Sequence, residues 1–393
     1  MKRDKFNRHG VLTIALSHFT HDLYPAFLPA LIPFLIQRIE FSYTMTGLLF
    51  FLLRAPSLFN ILIGIFADRF STRYFVIAAP AVTAIIMSFT PQAGSYLTLC
   101  IMLFLTGISS AAFHVPAPVM INHISGKKTG TGMSFFMVGG ELARTAGPLL
   151  LIGTIEYIGY GNSYLMMILG ILSSIFVYFQ FKNVSIKKDF KKNEHPFKSI
   201  SETWTKMKFI FFIIFGMVIG RAFLAAALKS FLPLYMTNKG YTVAIAGASL
   251  SILELAGAAG AFSSGTLSDK LGRKKLLHIV TFSLPVLMSL FVFTEGWVKI
   301  MMLVFLGVLL FSMTPVNLAL VQDHGYKYPA SANSIYMTLN FVVNSGTVLL
   351  FGVISDFISL DTTYIITIAV SLVSIPFVFF LPERTPMEKV TKS

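Results

Sequence analysis

Charge is what this chain has least of. Asp, Glu, Lys and Arg make up only 12% of its 393 residues, about half the share that keeps a soluble domain solvated. Acids are the rarer sign, 17 against 31 basic residues. Cysteine occurs once, as Cys100, which excludes an internal disulfide and leaves helix packing as its reading. Regular polar–apolar alternation is missing, which argues against a membrane-spanning barrel. No H-E-x-x-H string and no nucleotide-binding P-loop occurs, so an intramembrane metalloprotease or nucleotide-driven enzyme lacks its signature and no cofactor is expected.

What the chain has instead is hydrocarbon. Hydrophobic residues are 55% of the sequence and the mean hydropathy is +0.75. Such a chain cannot solvate itself, so lipid is its solvent. Its apolar runs reach about 20 residues or more, enough to cross a ~30 Å hydrocarbon core as helix. Hydrophobic runs and turn signals predict six helices over 11–36, 43–66, 74–91, 95–122, 129–155 and 161–182. Six more follow over 207–237, 242–266, 274–294, 298–324, 329–357 and 361–381. The expected class is an all-α membrane protein with twelve transmembrane helices in two six-helix bundles, 1–182 and 207–393. The polar stretch 183–206, with Lys187, Lys188, Lys191, Lys192 and Lys198, reads as a cytosolic linker. The first run follows Lys2, Arg3, Lys5 and Arg8, as in a signal peptide. It is too long for one and contains His18, His21 and Asp22, so it reads as a retained helix.

The net charge of +14 resembles that of a nucleic-acid binder, but its placement argues against one. With the N-terminus cytosolic, inner segments hold 24 of the 31 Lys and Arg. Outer loops hold Arg38, Lys239 and Lys299; Arg54, Arg144, Arg221 and Lys229 fall inside helices. That bias predicts a multi-pass protein with both termini cytosolic; the expected location is a bacterial or archaeal cell membrane.

Two strings repeat half a chain apart: G-I-F-A-D-R-F-S-T-R from Gly64 to Arg73 and G-T-L-S-D-K-L-G-R-K-K from Gly265 to Lys275. Each falls in the turn between the second and third helix of its half, the mark of duplicated bundles around a central site. Gly64, Asp68, Arg69, Arg73, Gly265, Asp269 and Arg273 are the candidate gating residues. Acids near helix ends, facing basic groups of the other half, would latch a cytosolic gate. The bland alternative is that these charges only set orientation.

Counting along the helices places Asp22, Arg54, Glu141, Arg144, Arg221 and Glu254 near mid-membrane. Each is costly there unless paired or hydrated. Three acids and three bases balance, so structural ion pairs are one reading, with Glu141 and Arg144 a helical turn apart. Proton coupling through Asp22, Glu141 or Glu254 is the other. His18, His21 and Asp22 share one helix face and, with His114, suit proton or substrate handling. Alternatively the four supply ligands for a metal. Asn340 and Asn344 share a face and suit either substrate or helix contact. The candidate substrate set is His18, His21, Arg54, His114, Arg144, Arg221, Asn340 and Asn344.

The paired turns, twelve helices, basic linker and near-absence of charge from every third helix resemble the major facilitator superfamily. That resemblance implies a cavity lined by the first, fourth, seventh and tenth helices, and a monomer. Within it, several strings resemble the fosmidomycin-resistance type of drug exporter. They are S-H-F-T-H-D-L-Y at 17–24, Phe113–His114, Gly139–Gly140 with Gly147–Pro148, F-L-P-L-Y at 231–235, and Gln322–Asp323. This implies proton-driven export of a small amphiphilic or anionic drug, with Arg54, Arg144, Arg221 and Lys229 suiting a phosphonate or carboxylate. A divalent-metal exporter using the first-helix histidines and an organic-anion importer are the rivals.

Overall fold

The computed structural model describes residues 6–59, 72–126, 128–182, 196–324 and 329–382. Helix fills almost all of them, and no strand occurs among the described residues. The membrane segments are α1 (Arg8–Ile39), α2 (Tyr43–Phe59), α3 (Arg73–Gln92), α4 (Tyr96–Ser125), α5 (Gly130–Tyr157) and α6 (Tyr160–Phe181). The second set is α7 (Ile200–Asn238), α8 (Val243–Leu271), α9 (Arg273–Phe293), α10 (Gly296–Val321), α11 (Ala332–Ile358) and α12 (Leu360–Phe379). Eleven are long and apolar enough to cross a bilayer; α2 is described over a shorter stretch. They form two pseudo-symmetric six-helix bundles, as the sequence predicts. Even the turns show why: Ser42, Ser95, Thr242 and Ser359 each accept a hydrogen bond from the backbone three residues on, starting α2, α4, α8 and α12.

We call the face where α1 begins proximal and the opposite face distal. The helices nearest the centre are broken, and proline explains the breaks. α1 bends at Phe27, between Pro25 and Pro29. α4 stops at His114 and restarts beyond Pro116. α7 opens into a π-turn over Ala226–Phe231, just before Pro233. Proline removes an N–H, and the freed carbonyls are tolerated only where neighbouring groups replace it.

α1 packs along α5, and α8 along α10. Glycine permits the close approach: a Cβ at Gly139 would strike the Ala15 backbone, and one at Gly260 that of Val308. The pseudo-symmetry reaches single hydroxyls. Tyr24 of α1 donates to the Met166 carbonyl in α6 at 2.7 Å, and Tyr364 of α12 to the Ala227 carbonyl in α7 at 2.7 Å. Phe179, Phe262 and Phe293 stand outward, as lipid-facing side chains do.

The halves meet mainly through α2 with α11 and α5 with α8. On the distal side, Asp356 of α11 accepts from the backbone N–H groups of Tyr43 and Thr44, both at 2.8 Å. Gly47 and Gly352 let the α2 and α11 backbones touch there. Asn238 donates to Tyr43 Oη at 3.0 Å.

One sequence expectation changes and two gain detail. Lys299 is not an outer-loop lysine; it lies in α10 and is buried, its ammonium donating to the Phe291 carbonyl at 2.7 Å. Residues 196–206 of the expected linker are the first turns of the helix that continues into α7; residues 183–195 lie outside the described set. Arg273, a gating candidate, pairs within its own half with Asp269 at 3.2 Å and Asp323 at 2.5 Å. Gly272, with φ of +88°, supplies the left-handed turn that sets this arginine. Gly64, Asp68 and Arg69 also lie outside the described residues. Arg73 donates to the Lys182 carbonyl at 2.7 Å. Gly265 sits in α8 with open space beside it.

Candidate functional site

The i, i+3, i+4 spacing on α1 puts His18, His21 and Asp22 on one inward face, and all three are buried. Asp22 is the hub. Its Oδ1 lies 2.9 Å from His21 Nδ1 and 3.2 Å from His114 Nε2. Its Oδ2 lies 3.1 Å from His18 Nε2 and 3.8 Å from Arg144 Nη1.

The backbone fixes the outer nitrogen of two rings. His18 Nδ1 donates to the Phe136 carbonyl at 2.7 Å, and His114 Nδ1 to the Ser110 carbonyl at 2.9 Å. A carbonyl only accepts, so both protons sit on Nδ1. His21 Nε2 meets Thr83 Oγ1 at 3.1 Å, and Thr83 in turn donates to Ser109 at 2.8 Å. Gly140 leaves room for the His18 ring; a Cβ there would lie 2.5 Å from Cε1.

Arg144, one turn along α5, gathers three carboxylates. It pairs with Glu141 on its own helix, approaches Asp22, and reaches Glu254 of α8 at 3.7 Å across the two halves. Lys229, carried by the π-turn of α7, lies 3.8 Å from Glu254 and 4.4 Å from the Phe311 ring centre. A cavity of about 280 Å³ opens among these groups, lined by Asp22, His114, Arg54, Arg144, Lys229 and Glu254. A second, of about 350 Å³, shares Arg54, Lys229 and Ser230 with it and adds Arg221, Tyr336, Asn340 and Asn344.

Cation charge exceeds acid charge here. Asp22, Glu141 and Glu254 face Arg54, Arg144, Arg221 and Lys229, three against four. Arg54 has no ion pair or hydrogen bond among the described residues. Arg221 Nε donates to the Leu310 carbonyl at 3.1 Å. One oxygen each of Glu141 and Glu254, and Arg144 Nε, are buried without a hydrogen bond in the protein. Such atoms cost about 1–3 kcal/mol each unless water or a ligand satisfies them.

Every mid-membrane charge singled out in the sequence therefore belongs to this one region, with Asn340 and Asn344 on its α11 wall. Asn344 donates to the Asn340 carbonyl at 2.7 Å. Thr83, Ser109 and Tyr336 were not in the sequence-derived set, and Lys229 entered it only through the family resemblance. Lys229 had a visible signal, a lysine one turn before a proline within an apolar run. Thr83, Ser109 and Tyr336 had none, since their positions follow from helix packing alone.

Known proteins agree with this architecture. The chain is 23% identical over 385 residues to the fosmidomycin resistance protein of Escherichia coli (strain K12), covering 95% of this chain and 93% of that one. Among solved structures it is similar to a bacterial homologue of the human lysosomal transporter Spinster in an inward-facing, unoccupied conformation. The TM-score is 0.78 at 17% identity, covering 94% of this chain and 96% of that one. It is also similar to the nucleoside transporter NupG, with TM-score 0.74, 14% identity and coverage of 95% and 100%. A D-xylose–proton symporter matches at TM-score 0.71 and 15% identity, with 95% and 97% covered. At these identities the structural likenesses speak to the fold. A family model described as the Major Facilitator Superfamily matches residues 11–346, most of the chain, and with twelve helices in two bundles around a charged central cavity the protein belongs to that superfamily of transporters.

Proposed function

We propose that this transporter exports a small anionic compound by alternating access, driven by the proton gradient across a bacterial or archaeal cell membrane. The proximal face, where Lys and Arg concentrate, is then cytosolic. The observation that carries the reading is the Arg144–Glu254 pair, which spans the two halves inside a cavity of excess positive charge.

That pair works as a latch with two keys. An anion entering the cavity takes Arg144 as its partner, while Lys229 keeps Glu254 company within its own half. The halves then part with the anion aboard. On the return, a proton on Glu254 cancels the charge that holds Arg144, which falls back on Glu141. Each transit needs one key, so anion and proton travel in opposite directions. Arg54 and Arg221 add cationic wall on either side. Asp22 faces imidazoles of its own half, so the proton role falls to Glu254, with Glu141 as the receiving partner for Arg144. Similarity to a fosmidomycin resistance protein supports a phosphonate or carboxylate as cargo. The transporter works as a monomer in this scheme, with one cavity per chain.

Proteoliposomes with an imposed pH gradient test this, with phosphonates, carboxylates, cationic drugs and divalent metals as candidate cargo. Glu254→Gln is expected to lose gradient-driven accumulation while keeping cargo-for-cargo exchange. Full gradient-driven accumulation by that variant would sink the latch.

A further inference from the structure

His18 and His114 come from different helices, yet their Nε2 atoms lie 3.2 Å apart. Both Nδ1 protons are committed to backbone carbonyls, Phe136 and Ser110. In the neutral rings, two nitrogen lone pairs therefore point at each other and at the Asp22 carboxylate, 3.1 and 3.2 Å away. A cation reconciles them, either a proton added to a ring at Nε2 or one metal ion shared by all three groups.

We propose that His18, Asp22 and His114 form a binding site for one divalent transition-metal ion on the wall of the central cavity. The ligand atoms of all three converge within 4.8 Å of one another. Tetrahedral zinc with bonds of about 2.0–2.1 Å has ligand edges of roughly 3.3–3.4 Å; the His18–His114 edge is 3.2 Å, and Asp22 turns one oxygen to each ring, Oδ2 at 3.1 Å to His18 and Oδ1 at 3.2 Å to His114. Two imidazoles and one carboxylate suit zinc, cobalt, nickel or ferrous iron, and disfavour magnesium and calcium.

The surroundings are those a metal site requires. Each ligating imidazole is oriented by a hydrogen bond from its other nitrogen to a backbone carbonyl. Behind Asp22 lies His21, its Nδ1 2.9 Å from the carboxylate and its Nε2 3.1 Å from Thr83 Oγ1. His21 packs behind the carboxylate and stays outside the ligand set. Gly140 preserves the space in which the His18 ring turns toward the ion. Asp22 and His114 line the cavity, which gives the ion a route in and an open coordination side. The nearby Arg144 is offset by Glu141 and Glu254. Arg144 Nη1 lies 3.8 Å from Asp22, so the site borders the Arg144–Glu254 latch; the metal proposal does not depend on the export scheme, and direct metal titration reads it alone.

The test uses the full chain in detergent, stripped with a chelator and titrated with cobalt(II) chloride. One ion per chain is expected, with a dissociation constant below about 10 µM and the visible absorption of cobalt in a low-coordinate nitrogen site. His18→Gln and His114→Gln should each weaken binding at least ten-fold; His278→Gln, on α9, should leave it unchanged. Size-exclusion profile and melting temperature check that each variant is folded. Where a variant is not, copper(II) bound to the unaltered chain should show imidazole nitrogen couplings in its magnetic resonance spectrum. Absence of saturable one-to-one binding, unchanged affinity in both folded histidine variants, or a copper spectrum without nitrogen ligands overturns the proposal. The first of these results would mean that protons alone fill the gap between the rings.

Discussion

At the scale of single residues, the lesson is that burial decides what a charge is worth. Lys299 and Lys239 look alike in the sequence. Lys239 makes an exposed pair with Asp361 at 2.7 Å, whereas Lys299 is buried and completes the carbonyl ends of α9. Lys299→Met strands those carbonyls and should cost about 1–3 kcal/mol; Lys239→Met should cost less than about 1 kcal/mol. Melting of the two purified variants separates the cases, and equal melting temperatures would refute the distinction. Gly140 makes the same point with space instead of charge. Gly140→Ala pushes a methyl into the His18 ring, an overpacking cost of about 1–3 kcal/mol. Its transport should fall along with its stability, unlike that of Gly153→Ala, where a Cβ meets open space. The clustering of His18, His21 and Asp22 was legible from helical spacing. The identity of their partners was not, because Phe136 lies 118 positions from His18 and Thr83 62 from His21, and Phe136 and Ser110 accept through backbone carbonyls.

At the scale of elements, proline and glycine decide where helices yield and where they touch. Pro25, Pro116 and Pro233 mark the breaks of α1, α4 and α7, and those breaks surround the cavity. The π-turn that aims Lys229 inward is one consequence. The sequence announces such prolines, but it does not say whether the helix kinks, stops or widens; the neighbours that satisfy the freed carbonyls choose. The contact of α2 with α11 is the distal seal. Asp356 caps the start of α2 across the halves, a contact worth about 1–2 kcal/mol, or a 5- to 30-fold bias in population. Asp356→Ala should shift the protein toward a distal-open state. Spin labels on the distal ends of α2 and α11 would read a longer distance; an unchanged distribution would refute the seal.

At the scale of the whole molecule, two halves joined distally enclose a cavity held by charge at mid-membrane. The basic excess at the proximal face gives a direct check on orientation. In a chain with Cys100 replaced by alanine, Lys274→Cys should react with impermeant thiol reagent only in inverted vesicles. Lys239→Cys should react in intact cells. The reverse pattern would overturn the assigned topology.

The sequence by itself determined that this is a twelve-helix membrane protein of two related halves, because hydropathy, loop charge and an internal repeat are properties of linear order. It also picked out the central charges, since a charge within hydrocarbon is conspicuous wherever it falls. Only the tertiary structure decided which charges meet. Arg144 could have closed on Glu141 alone, and instead it also faces Glu254 from the other half. His18 and His114, 96 residues apart, are turned toward one another by carbonyls that no side-chain pattern records. Pairing across helices depends on rotation and register, and those are set by the sum of packing contacts rather than by any local string.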